Sequence, residues 1–387
     1  MASTRDTTVL GQAVLSLDGL QGLIDALAAD GFQVIAPVVG DGAIGYGAVS
    51  RVADLPVGWG DEQDAASYRL RPRDDEMVFG YANGPQSAKP VFFPARDLLW
   101  RAHRDADGFT VEQPTPDDGP FALLGVRSCD LSALGIHDTV LLGRAYVDAS
   151  YAVRRADAFL VAVTCSDPAG TCFCVSMGTG PRPAPGASYD LALTEVLDEG
   201  GHRFLVDVGS ERGAGVLSRI DTRDATGADR EAADSVVEQA IGRMGRTLDT
   251  TGLKDLLYAG ADSPMWDEVA TRCLACSNCT MVCPTCFCTD VDDVTDLTGD
   301  EVARERIWDS CFDLRHSYLH GGSVRRSTPA RYRQWMTHKL ASWIDQFGTS
   351  GCVGCGRCIT WCPAGIDLTA QVAALRAAPR EVPHEEE

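Results

Sequence analysis

The chain of 387 residues has no apolar run that approaches the roughly 18 residues of a membrane-spanning helix. Residues 1–6 lack the basic and apolar segments of a secretory signal, so no export is expected. Positive charge is scarce as well, with 34 Lys and Arg against 55 Asp and Glu. The net charge of −21 argues against nucleic acid as a partner, because phosphate binding favours a basic surface.

Motifs for nucleotide or hydrolytic chemistry are also missing. The sequence contains no Walker-type loop, Ser-His-Asp arrangement or HExxH helix. Residues 40–45 match G-x-G-x-x-G after an apolar strand, but a dinucleotide site needs a helix that opens on this loop. The residues that follow have little helical periodicity, so we predict a turn between two strands. These motifs therefore predict no nucleotide-binding site in this chain.

Cysteine, in contrast, is abundant, with fifteen residues. Two runs near the C-terminus share the spacing C-x2-C-x2-C-x3-C-P. Three cysteines spaced by two residues can surround one corner of a [4Fe–4S] cluster, and in two-cluster ferredoxins the fourth cysteine ligates the other cluster. The spacing therefore predicts two clusters with crossed ligands: Cys273, Cys276, Cys279 and Cys362 for cluster 1, and Cys352, Cys355, Cys358 and Cys283 for cluster 2.

Two other uses of such cysteines fit the pattern less well. Zinc ribbons use paired C-x2-C knuckles rather than a triple run with a trailing Cys-Pro. Disulfides need an oxidising compartment. A cysteine-rich chain without an export signal is instead expected to carry metal clusters in the reducing cytoplasm.

The predicted fold class is α+β, with a mixed α/β domain at residues 1–248. Its clearest part is a β–α–β unit, with apolar strands at 121–126 and 158–163 around a helix at 131–142. Asp130 is predicted to cap this helix. Because a crossover helix joins the strands, we expect them to pair in parallel.

Residues 249–375 are predicted to form a helical two-cluster ferredoxin-type domain, followed by an acidic tail at 376–387. Helices are expected to connect the two cysteine runs, with Thr328 as a helix cap and Gly348 as a helix end. The connecting segment is also rich in basic residues: Arg304, Arg306, Arg315, Arg325, Arg326, Arg331, Arg333 and Lys339. These form a solvated helix face, a docking patch for an acidic redox partner, or positive charge that adjusts a cluster potential.

A second set of cysteines follows the β–α–β strands. Cys129 and Cys165 come directly after the first and second strand, at the sheet edge where open α/β sheets bind ligands. A short loop then brings Cys172 and Cys174 back toward this edge. These four thiols suggest a third [4Fe–4S] cluster; the alternative is that they are buried cysteines that act as small apolar residues.

Three cysteines remain without a predicted ligand role: Cys286, Cys288 and Cys311. The tetrapeptide Thr-Cys-Phe-Cys at 171–174 recurs at 285–288, and the sequence alone gives no physical account of this repeat. The remaining thiols either donate weak hydrogen bonds to a neighbouring cluster or are inert.

Five segments resemble signatures of a known family: GVRSCD at 125–130, the CFC…MGTGP stretch at 172–181, CPTCFC at 283–288, WDSC at 308–311 and GCVGCGRC at 351–358. The family is the iron–sulfur β subunit of cytoplasmic sulfhydrogenases and NAD(P)-linked [NiFe] hydrogenases, and the A subunit of anaerobic sulfite reductase is similar to it. The resemblance extends from about residue 85 onward, and it implies that all eight C-terminal cysteines ligate clusters.

The resemblance implies an electron-transfer subunit between a flavin subunit that handles NAD(P)H and a hydrogenase or sulfur-reducing catalytic subunit. Nothing in the sequence looks like the nickel-binding cysteine pairs of a hydrogenase large subunit. Three alternatives stay open: the electron-transfer subunit of an anaerobic sulfite reductase, a reductase that acts on a small sulfur substrate at the N-terminal cysteines, and a flavin-binding subunit. We expect a non-catalytic relay of the hydrogenase branch.

Overall fold

The computed structural model describes residues 9–82, 84–106, 108–114, 119–143, 145–184 and 186–378. Within these residues the strands are β1 (Gly11–Leu15), β2 (Gln33–Gly40), β3 (Ala43–Ala48), β4 (Trp59–Asp64), β5 (Ser67–Pro72), β6 (Arg96–Asp105), β7 (Gly108–Glu112), β8 (Phe121–Arg127), β9 (Phe159–Val163), β10 (Leu191–Asp198), β11 (Gly201–Val208), β12 (Arg223–Asp224), β13 (Thr289–Thr295), β14 (Glu301–Trp308), β15 (Tyr318–Leu319) and β16 (Gly322–Ser323).

The α-helices of the same residues are α1 (Leu17–Ala29), α2 (Lys89–Phe92), α3 (Ser128–Leu141), α4 (Ala149–Ala156), α5 (Cys174–Met177), α6 (Glu211–Leu217), α7 (Gly227–Gly242), α8 (Leu253–Ala259), α9 (Met265–Ala270), α10 (Asn278–Met281), α11 (Thr328–Thr337), α12 (Trp343–Phe347), α13 (Arg357–Thr360) and α14 (Leu368–Ala377). A 3-10 turn covers Val52–Asp54, and a π-helical segment, His338–Ser342, joins α11 to α12. No helix of the described residues is long and apolar enough to span a bilayer.

The main sheet combines eight strands of the described residues in the order β12-β1-β11-β10-β9-β8-β2-β3. Strands β2, β8, β9 and β10 form its parallel centre, and antiparallel strands lie on both sides. Every residue of β8 and β9 is buried, because both faces of a parallel sheet are covered. The predicted β–α–β unit with a parallel pair is confirmed, and residues 41–42 form the predicted turn between β2 and β3.

Helix α3 begins earlier than the sequence predicts. Its N-cap position is Arg127, and Asp130 lies within the first helical turn, so the prediction that Asp130 caps the helix is wrong. The Asp130 carboxylate instead accepts hydrogen bonds of 2.7 and 2.9 Å from Arg357, and both side chains are 1 % exposed. A buried carboxylate is costly unless it has a charged partner. This ion pair joins the N-terminal sheet to the second cysteine run.

A second sheet has the order β13-β14-β6-β7. The prediction that helices connect the cysteine runs is wrong for β13 and β14, which form a hairpin and pair with β6 from the N-terminal half. Arg304 pairs with Asp293 across this hairpin, and Arg306 pairs with Asp97. These two arginines therefore lie on a strand and not on a helix face. The sheet contains strands from both sides of the predicted domain boundary at residue 248.

The helical prediction is confirmed from α11 to α12. Ser327 caps α11 in place of the predicted Thr328, which is the first helical residue. Gly348 adopts a left-handed φ of 73° and ends α12 as expected. The interior side of this region contributes the buried Trp335, Met336, Leu340 and Trp343 to the C-terminal core. Helix α14 includes the first two residues of the predicted acidic tail, of which residues 379–387 lie outside the described part of the chain.

Candidate metal centres

The first predicted ligand set shares one cavity with an empty volume of about 430 Å³. Cys273, Cys276 and Cys279 line it from one loop, and Cys362 reaches it from the second cysteine run. Burial raises the pKa of the Cys279 thiol, and the neighbouring cysteines, Cys362 among them, raise it further. The structure therefore brings the first three thiols together with the fourth cysteine of the other run.

The second predicted set gathers in the same crossed manner. Burial raises the pKa of Cys358 well above its ordinary value, and Cys352, Cys355 and Cys283 add to this rise by charge repulsion. Burial also raises the pKa of Cys352 to about 12. The thiols of Cys352 and Cys358 are therefore neutral without metal, and a cluster would take them as thiolates.

The two runs have the same backbone turn. The second and fourth residues after the first cysteine are left-handed in both, Ala275 (φ 49°) and Ser277 (φ 67°) in the first run and Gly354 (φ 64°) and Gly356 (φ 76°) in the second. A left-handed φ is uncommon for residues other than glycine and is favoured at functional turns. The shared turn folds each Cys-x2-Cys-x2-Cys segment around its own centre.

Only the second run needs glycine at these positions for space. A Cβ at Gly354 would lie 2.7 Å from the Cα of Cys174 and from the carbonyl carbon of Phe173. A Cβ at Gly356 would lie 2.6 Å from the backbone of Thr171. Contacts under 3.0 Å are too short for a real Cβ, so the segment that carries the N-terminal cysteines packs directly against the second run.

A buried lysine lies beside the second set. The Lys339 ammonium donates to Cys283 Sγ at 3.2 Å, Thr285 Oγ1 at 3.0 Å and the Gly351 carbonyl at 3.2 Å. Burial by itself lowers the pKa of Lys339, but the surrounding thiols, Cys283 first, raise it well above its ordinary value. A hydrogen bond from Cys286 and then the Lys339 charge lower the pKa of Cys283. A fixed positive charge therefore lies next to a predicted cluster ligand.

The four N-terminal cysteines meet at the carboxyl edge of the sheet, as the sequence predicts. Burial raises the pKa of Cys172, and the neighbouring Cys165 and Cys174 add to this rise. Burial also raises the pKa of Cys129, with smaller contributions from Asp130 and Cys355. The thiol of Cys172 donates to the Cys355 carbonyl at 3.7 Å. The group thus adjoins the second set through Cys355.

Sequence reasoning missed a further group. Cys286, Cys288 and Cys311 line one cavity with an empty volume of about 280 Å³, bounded also by Lys339. The repeated Thr-Cys-Phe-Cys was the signal, since its first copy supplies two of the N-terminal thiols. Cys311 could not be assigned to the group from spacing, because the hairpin of β13 and β14 separates it from Cys288 in the sequence.

All fifteen cysteines lie in the described part of the chain, and none forms a disulfide. Within the described residues, no three His, Cys, Asp or Glu side chains are placed to hold a single metal ion. An iron–sulfur cluster spreads its ligands over separate iron atoms, so its thiols need not converge on one point. The gathered thiols are soft donors, which suit iron–sulfur clusters.

Comparison with known proteins gives two matches. The family model described as a 4Fe-4S dicluster domain matches residues 272–366, which span both C-terminal runs. The chain is 32% identical over 327 residues to sulfhydrogenase 2 subunit beta of Pyrococcus furiosus, and the match covers 82% of this chain and 92% of that protein. No solved structure matches significantly.

Proposed function

Because the chain belongs to the sulfhydrogenase β-subunit family, we propose that it relays electrons between an NAD(P)H-oxidising flavin subunit and a [NiFe] hydrogenase or sulfur-reducing catalytic subunit. It is an iron–sulfur electron-transfer subunit of a multi-subunit oxidoreductase. The observation that carries the relay is the crossed gathering of two four-cysteine sets within one dicluster domain. We place the subunit in the cytoplasm, because its many thiols need a reducing compartment.

The proposed ligands of cluster 1 are Cys273, Cys276, Cys279 and Cys362, and those of cluster 2 are Cys352, Cys355, Cys358 and Cys283. The shared cavity of the first set and the identical left-handed turns of both runs support this assignment. Cys129, Cys165, Cys172 and Cys174 would hold cluster 3. Their mutual proximity at the sheet edge supports it.

The contacts between the three groups suggest an order for the relay. Cluster 3 would adjoin cluster 2 through the contact of Cys172 with the Cys355 carbonyl. Cluster 2 would adjoin cluster 1, because Cys358 also lines the cavity of the first set. Cys276 is exposed and Leu274 beside it is 68 % exposed, so cluster 1 has the shortest route to a docked partner. The relay would therefore run from cluster 3 through cluster 2 to cluster 1, in either direction.

Burial favours a relay over a reductase at the N-terminal cysteines. Cys129, Cys172 and Cys174 are 4–7 % exposed and Cys165 is half-buried, which leaves little room for a sulfur substrate to reach a thiol or an iron. An electron needs no such access. The sulfite reductase alternative would use the same relay with another catalytic subunit.

The test is composition and activity of the full chain purified anaerobically. We expect at least twelve iron atoms from three [4Fe–4S] clusters, about four irons each, with matching acid-labile sulfide and no flavin. Dithionite should reduce the clusters, whereas NAD(P)H and H2 should not without partner subunits. Turnover of NAD(P)H, H2 or polysulfide by the isolated chain would contradict the relay.

A further inference from the structure

A fourth group of metal-binding side chains lies outside the three proposed clusters. Cys286, Cys288 and Cys311 face one cavity whose other walls include Trp335 and Trp343. Burial raises the pKa of Cys311 to about 12, and the nearby Cys288 contributes to this rise. Three soft ligands in a largely apolar enclosure form a site that suits iron–sulfur chemistry.

A histidine, His316, lies next to Cys288 of this group. The His316 side chain hydrogen-bonds to Cys288, and its Nδ1 contacts the Asp309 carboxylate. The contact with Asp309 occupies Nδ1, so Nε2 would be the ring nitrogen available to a cluster. Metal-bound histidines almost always donate their other ring N–H to a carboxylate or carbonyl, which fixes the tautomer and the ring orientation. The Asp309 N–H also donates to the Cys288 carbonyl at 2.9 Å, so the two loops are joined beside the cavity.

We propose that Cys286, Cys288 and Cys311, with His316 as the fourth ligand, bind an additional [4Fe–4S] cluster. A single zinc ion is the alternative occupant, because zinc also accepts three cysteines and one histidine. This inference goes beyond the proposed relay and does not depend on which partners the chain has.

Charge near the cavity favours this occupancy. Three thiolates and a cluster carry net negative charge, which is costly to bury without positive partners. The Lys339 ammonium lies 3.5 Å from Cys286 Sγ. The Arg325 guanidinium acts on Cys311 in the direction that stabilises its thiolate. Both positive charges come from the basic segment noted in the sequence.

The repeated Thr-Cys-Phe-Cys acquires a physical explanation. In the first copy, the fully buried Phe173 anchors the loop between Cys172 and Cys174. In the second copy, Phe287 stacks edge-on against Trp343 and Phe347 and holds the loop between its two cysteines. In each copy an anchored aromatic ring separates the two cysteines along the chain. The same tetrapeptide would thus supply two ligands to cluster 3 and two ligands to the additional cluster.

The additional cluster would lie next to both cluster 1 and cluster 2. Cys286 hydrogen-bonds to Cys283, the proposed ligand of cluster 2. Cys311 is close enough to Cys279, a proposed ligand of cluster 1, to raise its pKa. An electron on either C-terminal cluster could therefore reach the additional one.

The test uses the full chain, prepared anaerobically, with Cys288→Ser and Cys311→Ser variants. Each should lose about four irons and one EPR signal of the reduced protein, while the signals of clusters 1 and 2 remain as internal controls of folding. Ser310→Ala, which changes the neighbour of Cys311 without removing a thiol, should keep all iron. Unchanged iron and an unchanged EPR spectrum in both cysteine variants would overturn the proposal, as would zinc in place of the lost iron.

The histidine ligand is tested without disturbing the fold. Wild-type chain labelled with 15N-histidine should show a nitrogen hyperfine coupling to one reduced cluster, and no coupling would overturn the His316 assignment. His316→Cys should keep the iron content and lower one midpoint potential, because histidine ligation raises cluster potentials relative to cysteine. If the proposed relay itself were wrong, the EPR signals of clusters 1 and 2 would be missing, which distinguishes that failure from the absence of the additional cluster.

Discussion

Replacement of Lys339 by methionine is predicted to lower the midpoint potential of cluster 2 by roughly 100 mV. The ammonium is 3.2 Å from Cys283 Sγ and is 3 % exposed, so solvent screens it little. Reduction adds one negative charge to the cluster, which this ammonium stabilises. With ~6 Å between the ammonium and the cluster centre and an effective dielectric constant of ~20, Coulomb's law gives about 3 kcal/mol. For a one-electron couple, about 59 mV corresponds to about 1.4 kcal/mol, which gives ~120 mV.

The assay is an EPR-monitored redox titration of the full chain, with iron content measured on the same samples. Lys339→Arg keeps the charge and should stay close to the wild-type potential. Lys254→Met removes a lysine that pairs with Asp345 at the surface, and should leave the potential of cluster 2 unchanged. A Lys339→Met chain with full iron content and an unchanged midpoint would refute the electrostatic reasoning.

Two further predictions concern the junction between the two halves of the chain. Gly354→Ala should reduce both the iron content and the midpoint of urea unfolding, because the new Cβ would collide with Cys174. The control Gly215→Ala in α6, which has open space around it, should change neither. Normal iron content in both variants would contradict the packing argument. Arg357→Met should lower the free energy of unfolding by about 3–5 kcal/mol, since it leaves Asp130 buried and unpaired. In urea titrations, the double variant with Asp130→Asn should regain part of the lost stability. Equal loss in the single and double variants would argue against the ion pair.

The elements that sequence reasoning identified correctly have strong local signals. The buried strands β8 and β9 are short continuous apolar runs, and such runs are typical of central strands in parallel sheets. The end of α12 was visible because glycine alone adopts its left-handed φ without cost.

The elements that it misassigned depend on distant partners. The hairpin of β13 and β14 is partly exposed and rich in charge, and its pairing with β6 joins Arg306 to Asp97, 209 positions apart. Strand pairing of this kind has no local signature, because the partner strand supplies the hydrogen bonds. Asp130 met the rule for a helix cap, but Arg357, 227 positions away, binds it in the interior.

The sequence by itself determined the two C-terminal cysteine runs, because spacing along the chain decides whether three thiols can turn around one centre. It also determined that four further cysteines follow the strands of a parallel sheet. Only the tertiary structure decided that Cys286, Cys288 and Cys311 share a cavity and that Lys339 lies beside Cys283. The physical reason is that these neighbours come from separate elements, and packing rather than local chain geometry brings them together.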